Sequence, residues 1–349
     1  MPDSALEKDN LFQLNTLVWA SFPQPVGAPV TPVLRNLGYT LYAIEEPLEA
    51  SVAEKAQLNK ATLQIQPNPT IDVVLSHEKN STYVLVECKP SSFGLSSDWT
   101  SQARGLIVAG GSIGSRLGVS GKAIAEMCYL VPQEGTQLTD ATLVELHKEV
   151  SSEGLKKCPT GVIGISVKLD GVYLGLSNRL QGVALLPLAL IPERRVLSVP
   201  AEQDPQPLYV IPWIPDGQDT NDLEAFKEKI RARLLSWLGK ATIGSSEVIY
   251  FEELLNDVSR RVFQYWSDKS SLFGRVFPMV ERLVKIFFGD DIRVSIRRRE
   301  ATVTLESAKD REELMEHVRT VGLPEKLPEG VQLQLDEQLK PTSRDDSLG

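Results

Sequence analysis

The sequence predicts an α/β protein whose C-terminal region is mainly helical and carries a small α+β unit. Three observations lead there. Between residues 40 and 176, short runs of β-branched and apolar residues alternate with polar breaks, as strands do. From Leu223 the apolar period lengthens: Leu223, Phe226, Ile230, Leu234, Leu235 and Leu238 share the three- and four-residue steps of one helical face. Past residue 290, short alternating runs return. The chain therefore divides into an N-terminal extension (1–39), a sheet-containing domain (40–215), a helical and ββαβ domain (222–337) and a polar, disordered tail (338–349).

Taken in order, residues 40–44 read as a strand and 48–55 as a helix. Residues 70–75 and 83–89 read as a β-hairpin across the polar stretch His77-Glu78-Lys79-Asn80-Ser81. A helix follows over 96–106, with Ser or Asp available to cap it. The Gly-rich stretch 110–121 reads as a mobile loop. It fails as a phosphate loop, because Arg116 and Ala123 stand where a glycine and a hydroxyl are required. Residues 125–131 form the next strand. Residues 161–168 and 171–176 flank an Asp170-Gly171 turn, and 207–213 is a further extended piece. Residues 200–207 and 215–221 read as loops. Helices over 251–266 and 272–288 precede strands at 292–296 and 301–305, a helix at 311–319 and a strand at 331–335.

The hairpin carries the chemistry. With its turn centred on Lys79-Asn80, Ser76 faces Tyr83, Val74 faces Leu85 and Asp72 faces Glu87. Period-2 alternation puts Lys89 on that same side. Two adjacent carboxylates repel unless a cation lies between them. A divalent metal suits that place, and the lysine can serve an anion or polarise a water. The competing reading of the same residues is a surface salt bridge on a solvated sheet face.

Asp72 followed by Glu87-x-Lys89 at the end of the next strand resembles the signature of the PD-(D/E)xK nuclease superfamily, over roughly residues 40–135. The resemblance implies a restriction-endonuclease-like core, a mixed central sheet flanked by helices. It implies Mg2+ or Mn2+ held by Asp72, Glu87 and the Cys88 carbonyl, with Lys89 orienting or activating the attacking water. Gln102 matches a glutamine that several branches carry on the following helix, although Leu106 stands where some branches have a tyrosine. The proline usual beside the aspartate is displaced to Pro69. Glu45, Glu46, Glu49 and Glu54 compete for the further acid that the family's first helix often donates, and none is assigned. The implied activity is metal-dependent hydrolysis of DNA phosphodiesters, by endo- or exonucleolytic cleavage. The alternative within the same fold is an inactive subunit that binds nucleic acid or assembles with a partner. A helicase or defence-system subunit would suit as partner, and a homo-oligomer is compatible.

Composition bounds the rest. The 349 residues are 42% hydrophobic and carry a formal charge of -9. No run of eighteen apolar residues occurs, and the most hydrophobic stretch, 181–192, is short and broken by prolines, so no membrane association is expected. The N-terminus lacks the basic-then-apolar layout of a secretory signal, and Cys88, Cys128 and Cys158 suit buried free thiols; a cytoplasmic protein is expected. The three histidines share no spacing that would gather a metal. Arginines are dense over 260–299, and Arg260, Arg261, Arg275, Arg297 and Arg298 are candidate nucleic-acid contacts, with Tyr265, Trp266 and Phe273 among them. The competing reading is a helical surface with its aromatics in a core. An acidic chain needs local basic patches, metal or a partner to approach DNA.

Overall fold

A computed structural model of the protein describes residues 5–23, 30–77, 79, 81–119, 122–176, 190, 193–198, 209–211, 220–267, 269–297 and 299–322, with only the backbone for 220–225 and 269–275. The fold is α/β. Contacts divide the chain into two units: 1–218 with 252–277, and 219–251 with 278–349. In this grouping the N-terminal 39 residues and 252–277 both fall in the first unit.

The first unit is built on one sheet. Its strands β1 (Tyr39–Pro47), β2 (Thr70–His77), β3 (Thr82–Cys88), β4 (Ile124–Pro132), β5 (Thr160–Lys168), β6 (Gly171–Leu176) and β7 (Arg194–Leu197) lie side by side in chain order. β3, β4 and β5 are parallel, and the remaining neighbours are antiparallel, so the sheet is mixed. Its helices include α1 (Asn10–Ser21), α2 (Val52–Leu58), α3 (Trp99–Gly111), the single turn α4 (Ile113–Arg116) and α5 (Thr136–Ser152). Parallel neighbours need a crossover, which α3 with α4 and then α5 supply. On one face, Leu85, Met127, Tyr129 and Val131 pack with Leu106, Ile107, Leu143 and Leu146 of α3 and α5. Burying each such side chain stabilises by about 2 kcal/mol. Val84, Val86 and Cys88 alternate to the other face, where α1 meets β1, β2 and β3.

Helix α1 lies within the segment expected as an N-terminal extension. It is buried at every position from Leu11 to Ser21, which erases the amphipathic period. Several of its polar groups bond in place, while Asn10 Oδ1 and Gln13 Oε1 are buried without a partner. Thr16 and Ser21 donate to the carbonyls of Phe12 and Leu17, and Asn15 donates to the Ile211 carbonyl while accepting from the Val210 and Ile211 amides. The Gly-rich stretch is corrected. Gly110 and Gly111 lie inside α3, and a Cβ added there would come within 2.3 Å of Cys158 Sγ and 2.4 Å of the Lys157 nitrogen. Close packing, not mobility, calls for glycine here.

Along the chain follow α6 (Thr220–Lys240), β8 (Ser245–Tyr250), α7 (Phe251–Val258), α8 (Lys269–Phe288), β9 (Val294–Arg297), β10 (Glu300–Leu305) and α9 (Ala308–Thr320). The helix expected over 251–266 breaks after α7, where Arg260 and Arg261 both take positive φ. In the second unit, β8 was not foreseen; it pairs with β10 in an antiparallel sheet of order β8–β10–β9. Ala301, Val303 and Leu305 are buried there, as are Ile230, Leu234, Leu283, Phe287 and Leu314. The strand expected at 331–335, the tail, most of 181–192, and the loops expected over 200–207 and 215–219 lie outside the described residues.

Candidate active site

The site forms where β2, β3 and β4 meet, at the C-terminal end of the parallel strand β3. The β2–β3 ladder pairs Ser76 with Tyr83, Leu75 with Val84, Val74 with Leu85 and Val73 with Val86. One further step sets Asp72 beside Glu87, as a turn at Lys79-Asn80 requires. The strands stay together there, because the Cys88 amide donates to Asp72 Oδ2 at 2.6 Å. Lys89 Nζ donates to Glu87 Oε1 at 2.9 Å and to Gln102 Oε1 at 3.2 Å, while Gln102 Nε2 donates to the same Glu87 oxygen at 2.9 Å. Helix α3 brings two of these neighbours on one face, three residues apart: Gln102, and Trp99, whose ring centroid lies 5.0 Å from Lys89 Nζ. Asp72, Glu87, Lys89 and Gln102 are thus gathered in one place.

The electrostatics are unfavourable to both acids. Burial pushes the Asp72 carboxyl up to about 6, with the Glu45 charge adding to it. Burial pushes Glu87 up to about 8, with Asp72 adding to it. The Lys89 ammonium works against both shifts without reversing either. Glu87 is only 3% exposed; the Asp72 amide works against its shift, yet its Oε2 is buried with no partner at hydrogen-bonding geometry. A buried carboxylate oxygen without a donor is an acceptor that a cation can satisfy. Asp72 and Glu87 therefore fit a hard divalent cation on their own chemistry. Among the described residues, no group of three or more His, Cys, Asp or Glu side chains is gathered to hold a metal. Magnesium does not require one, since it is commonly held by one or two carboxylates and keeps several waters.

The remaining candidates have separate places. The Cys88 thiol is buried and pushed well up by that burial, which leaves the thiol inert. Glu54 closes the capping box of α2 with Ser51 and pairs with Arg116 at 3.6 Å, a structural role. Glu46 accepts from Ser267, and Glu49 is exposed. Glu45 is the residue that sequence reasoning could not single out. It sits on β1, not on a helix, between Ile44 and Glu46, whose partners Val73 and Ile71 bracket Asp72. It holds a φ of +53, rare for a residue with a side chain. Tyr129, also unforeseen, is the β4 partner of Glu87 in the parallel ladder.

The candidate arginines are divided between the two units. Arg260 and Arg261 are exposed in the first unit, with the Arg260 guanidinium 4.9 Å from the Trp19 ring. Arg275 falls in the first unit's part of α8, and its side chain is outside the described set. Arg297 is exposed on β9 in the second unit, opposite Glu300, and Arg298 lies outside the described residues. Trp266 and Phe277 are buried, as a core reading of these aromatics requires.

Among the described residues, no helix is long and apolar enough to cross a membrane. No family model, no curated protein and no solved structure matches this chain.

Proposed function

We propose that the first unit is a metal-dependent nuclease of restriction-endonuclease-like fold that hydrolyses phosphodiesters in DNA. One observation carries the reading: a buried acid, Glu87, and a half-buried one, Asp72, repel each other and meet a lysine at the end of a parallel strand, and one Glu87 oxygen has no partner at hydrogen-bonding geometry. Mg2+ or Mn2+ held by Asp72, Glu87 and the Cys88 carbonyl would supply Lewis-acid polarisation of a phosphoryl oxygen. Lys89 orients the attacking water and offers its charge to the phosphate. Gln102 fixes the Lys89 ammonium and the Glu87 carboxylate relative to each other, and the Trp99 ring restrains the lysine from the other side.

The competing reading, an inactive nuclease-fold subunit that binds nucleic acid or a partner protein, has one observation in its favour. Lys89, Gln102 and Glu87 Oε1 already bond one another in a closed ring, as a purely structural polar cluster does. Plasmid and single-stranded DNA cleavage by the full chain separates the two readings. With magnesium against EDTA, the wild type cleaves only with the metal, and Lys89→Ala loses about 10²–10³-fold in rate. Cleavage unaffected by Lys89→Ala removes the assignment. No cleavage of any substrate by wild type, with no metal bound, favours the inactive subunit.

A further inference from the structure

Glu87 Oε2 is not the only orphan at the site. The hydroxyl of Tyr129, a side chain with no solvent exposure, is also buried without a hydrogen-bond partner. The two residues are direct partners across the parallel β3–β4 ladder, so their side chains leave the sheet on the same face. The tyrosine ring is fixed from behind. Phe93 packs against it at 4.9 Å and against Trp99 at 6.0 Å, and Trp99 in turn lies by Lys89. An aromatic chain therefore runs from the lysine around to the tyrosine. The charges of Glu87 and Asp72 both bear on the Tyr129 hydroxyl and add to the effect of burial in holding it protonated.

Buried polar atoms are satisfied in the great majority of proteins, and a buried water needs at least two polar partners. A phenol in the core is tolerated only where its hydroxyl finds one. Two orphans on facing residues are the pair of partners that one water requires. We propose that Tyr129 is a positioning residue of this site: its hydroxyl shares a buried water with one lone pair of Glu87 Oε2, leaving the other for a divalent cation, and so fixes the Glu87 carboxylate. The inference rests on the metal-dependent reading above. It assigns Tyr129 no contact with substrate.

Mn2+ titrations of the full chain, followed by electron paramagnetic resonance, test it with three proteins: wild type, Tyr129→Phe and Glu87→Gln. Melting in EDTA is measured beside each titration. The expected result is binding by wild type, none by Glu87→Gln, and about tenfold weaker binding by Tyr129→Phe, the loss typical of a group that orients a ligand. The phenylalanine variant keeps the ring packing and loses only a water-mediated hydrogen bond, so in EDTA it still unfolds cooperatively within a few degrees of wild type. Equal Mn2+ affinity in wild type and Tyr129→Phe overturns the role of Tyr129 and leaves the metal site standing. A Tyr129→Phe protein that no longer unfolds cooperatively in EDTA also overturns it, since the hydroxyl then holds the core together rather than the carboxylate. Absence of Mn2+ binding by wild type overturns both readings together.

Discussion

Two charged clusters sit in the two units, and they respond to their surroundings in opposite ways. In the second unit, Arg293 donates to Asp291 at 2.6 Å and to Glu313 at 3.3 Å, and lies 3.7 Å from Asp310. Its hydrogen bonds hold Asp291 below the usual carboxylate range, and Asp291 in return raises the guanidinium. Every shift there favours the charged form. At the hairpin end in the first unit, Asp72 and Glu87 are both pushed up, although Lys89 is bonded to one of them. The acids there outnumber the single cation, and burial removes the water that would compensate. A cluster whose charges cancel is a staple. A cluster whose charges remain in conflict at the end of a parallel strand is, on the function proposed above, the place for something positive.

The largest effect expected from breaking this contrast is at Glu87. Glu87→Gln removes one of the two acids in conflict and, with it, at least about a hundredfold of divalent-cation affinity. Its pH signature has a definite sign. Both acids titrate higher in the folded chain than in the unfolded one, so the folded state binds more protons between roughly pH 4 and pH 8. Their stability contribution is complete below the ordinary carboxylate range and is lost as pH climbs through about 6 and about 8. In EDTA, the melting temperature of Glu87→Gln relative to wild type should therefore rise from pH 5 to pH 8. Mn2+ should stabilise wild type increasingly over the same range, because cation and proton compete for the same oxygens. A difference between the two proteins that stays flat with pH would erase the contrast drawn above.

Next in size is the staple. Arg293→Ala leaves Asp291 and Glu313 without their bidentate and bridging donor, and should destabilise the second unit by about 1–2 kcal/mol, less in high salt. Arg293→Lys should recover only part of this, since an ammonium lacks the planar fork that reaches three acids. Chemical denaturation at low and high salt measures both. Neither change should move metal-dependent cleavage.

How much of this could be read from residues alone follows from what each feature depends on. The meeting of Asp72 with Glu87 depends only on strand period and turn position, both local, and it was legible. Gln102 was legible as a helical residue downstream of the hairpin, but its bonds to Lys89 and Glu87 depend on how α3 packs across the sheet. The facing of Tyr129 with Glu87 depends on the register of two parallel strands joined by a long crossover, and nothing near either residue encodes it. Helix α1 was hidden because burial on all sides leaves no stripe. Strand β8 was hidden for the opposite reason: five of its six residues are not buried, so it shows little apolar pattern.

Glu45 is the smallest and sharpest case, because its backbone and its charge can be separated. Its position opposite Asp72 follows a shift in the β1–β2 register between Leu41 and Ala43, which short-range pattern cannot predict. A left-handed residue with a side chain is strained by about 1–3 kcal/mol, and such strain gathers at functional sites. Glu45→Gly relieves that strain at some entropic cost, for a net gain of about 0.5–1 kcal/mol, and also removes the charge that raises Asp72. Glu45→Gln keeps the strained backbone and removes only the charge, so in EDTA it should gain less than Glu45→Gly, and its gain should vanish at acid pH where Asp72 is protonated. Denaturation of both variants at pH 5 and pH 8 decides between these sources. Equal gains at both pH values would leave backbone strain alone at Glu45, whereas a gain that appears only at pH 8 would make this third acid part of the same electrostatic conflict as Asp72 and Glu87.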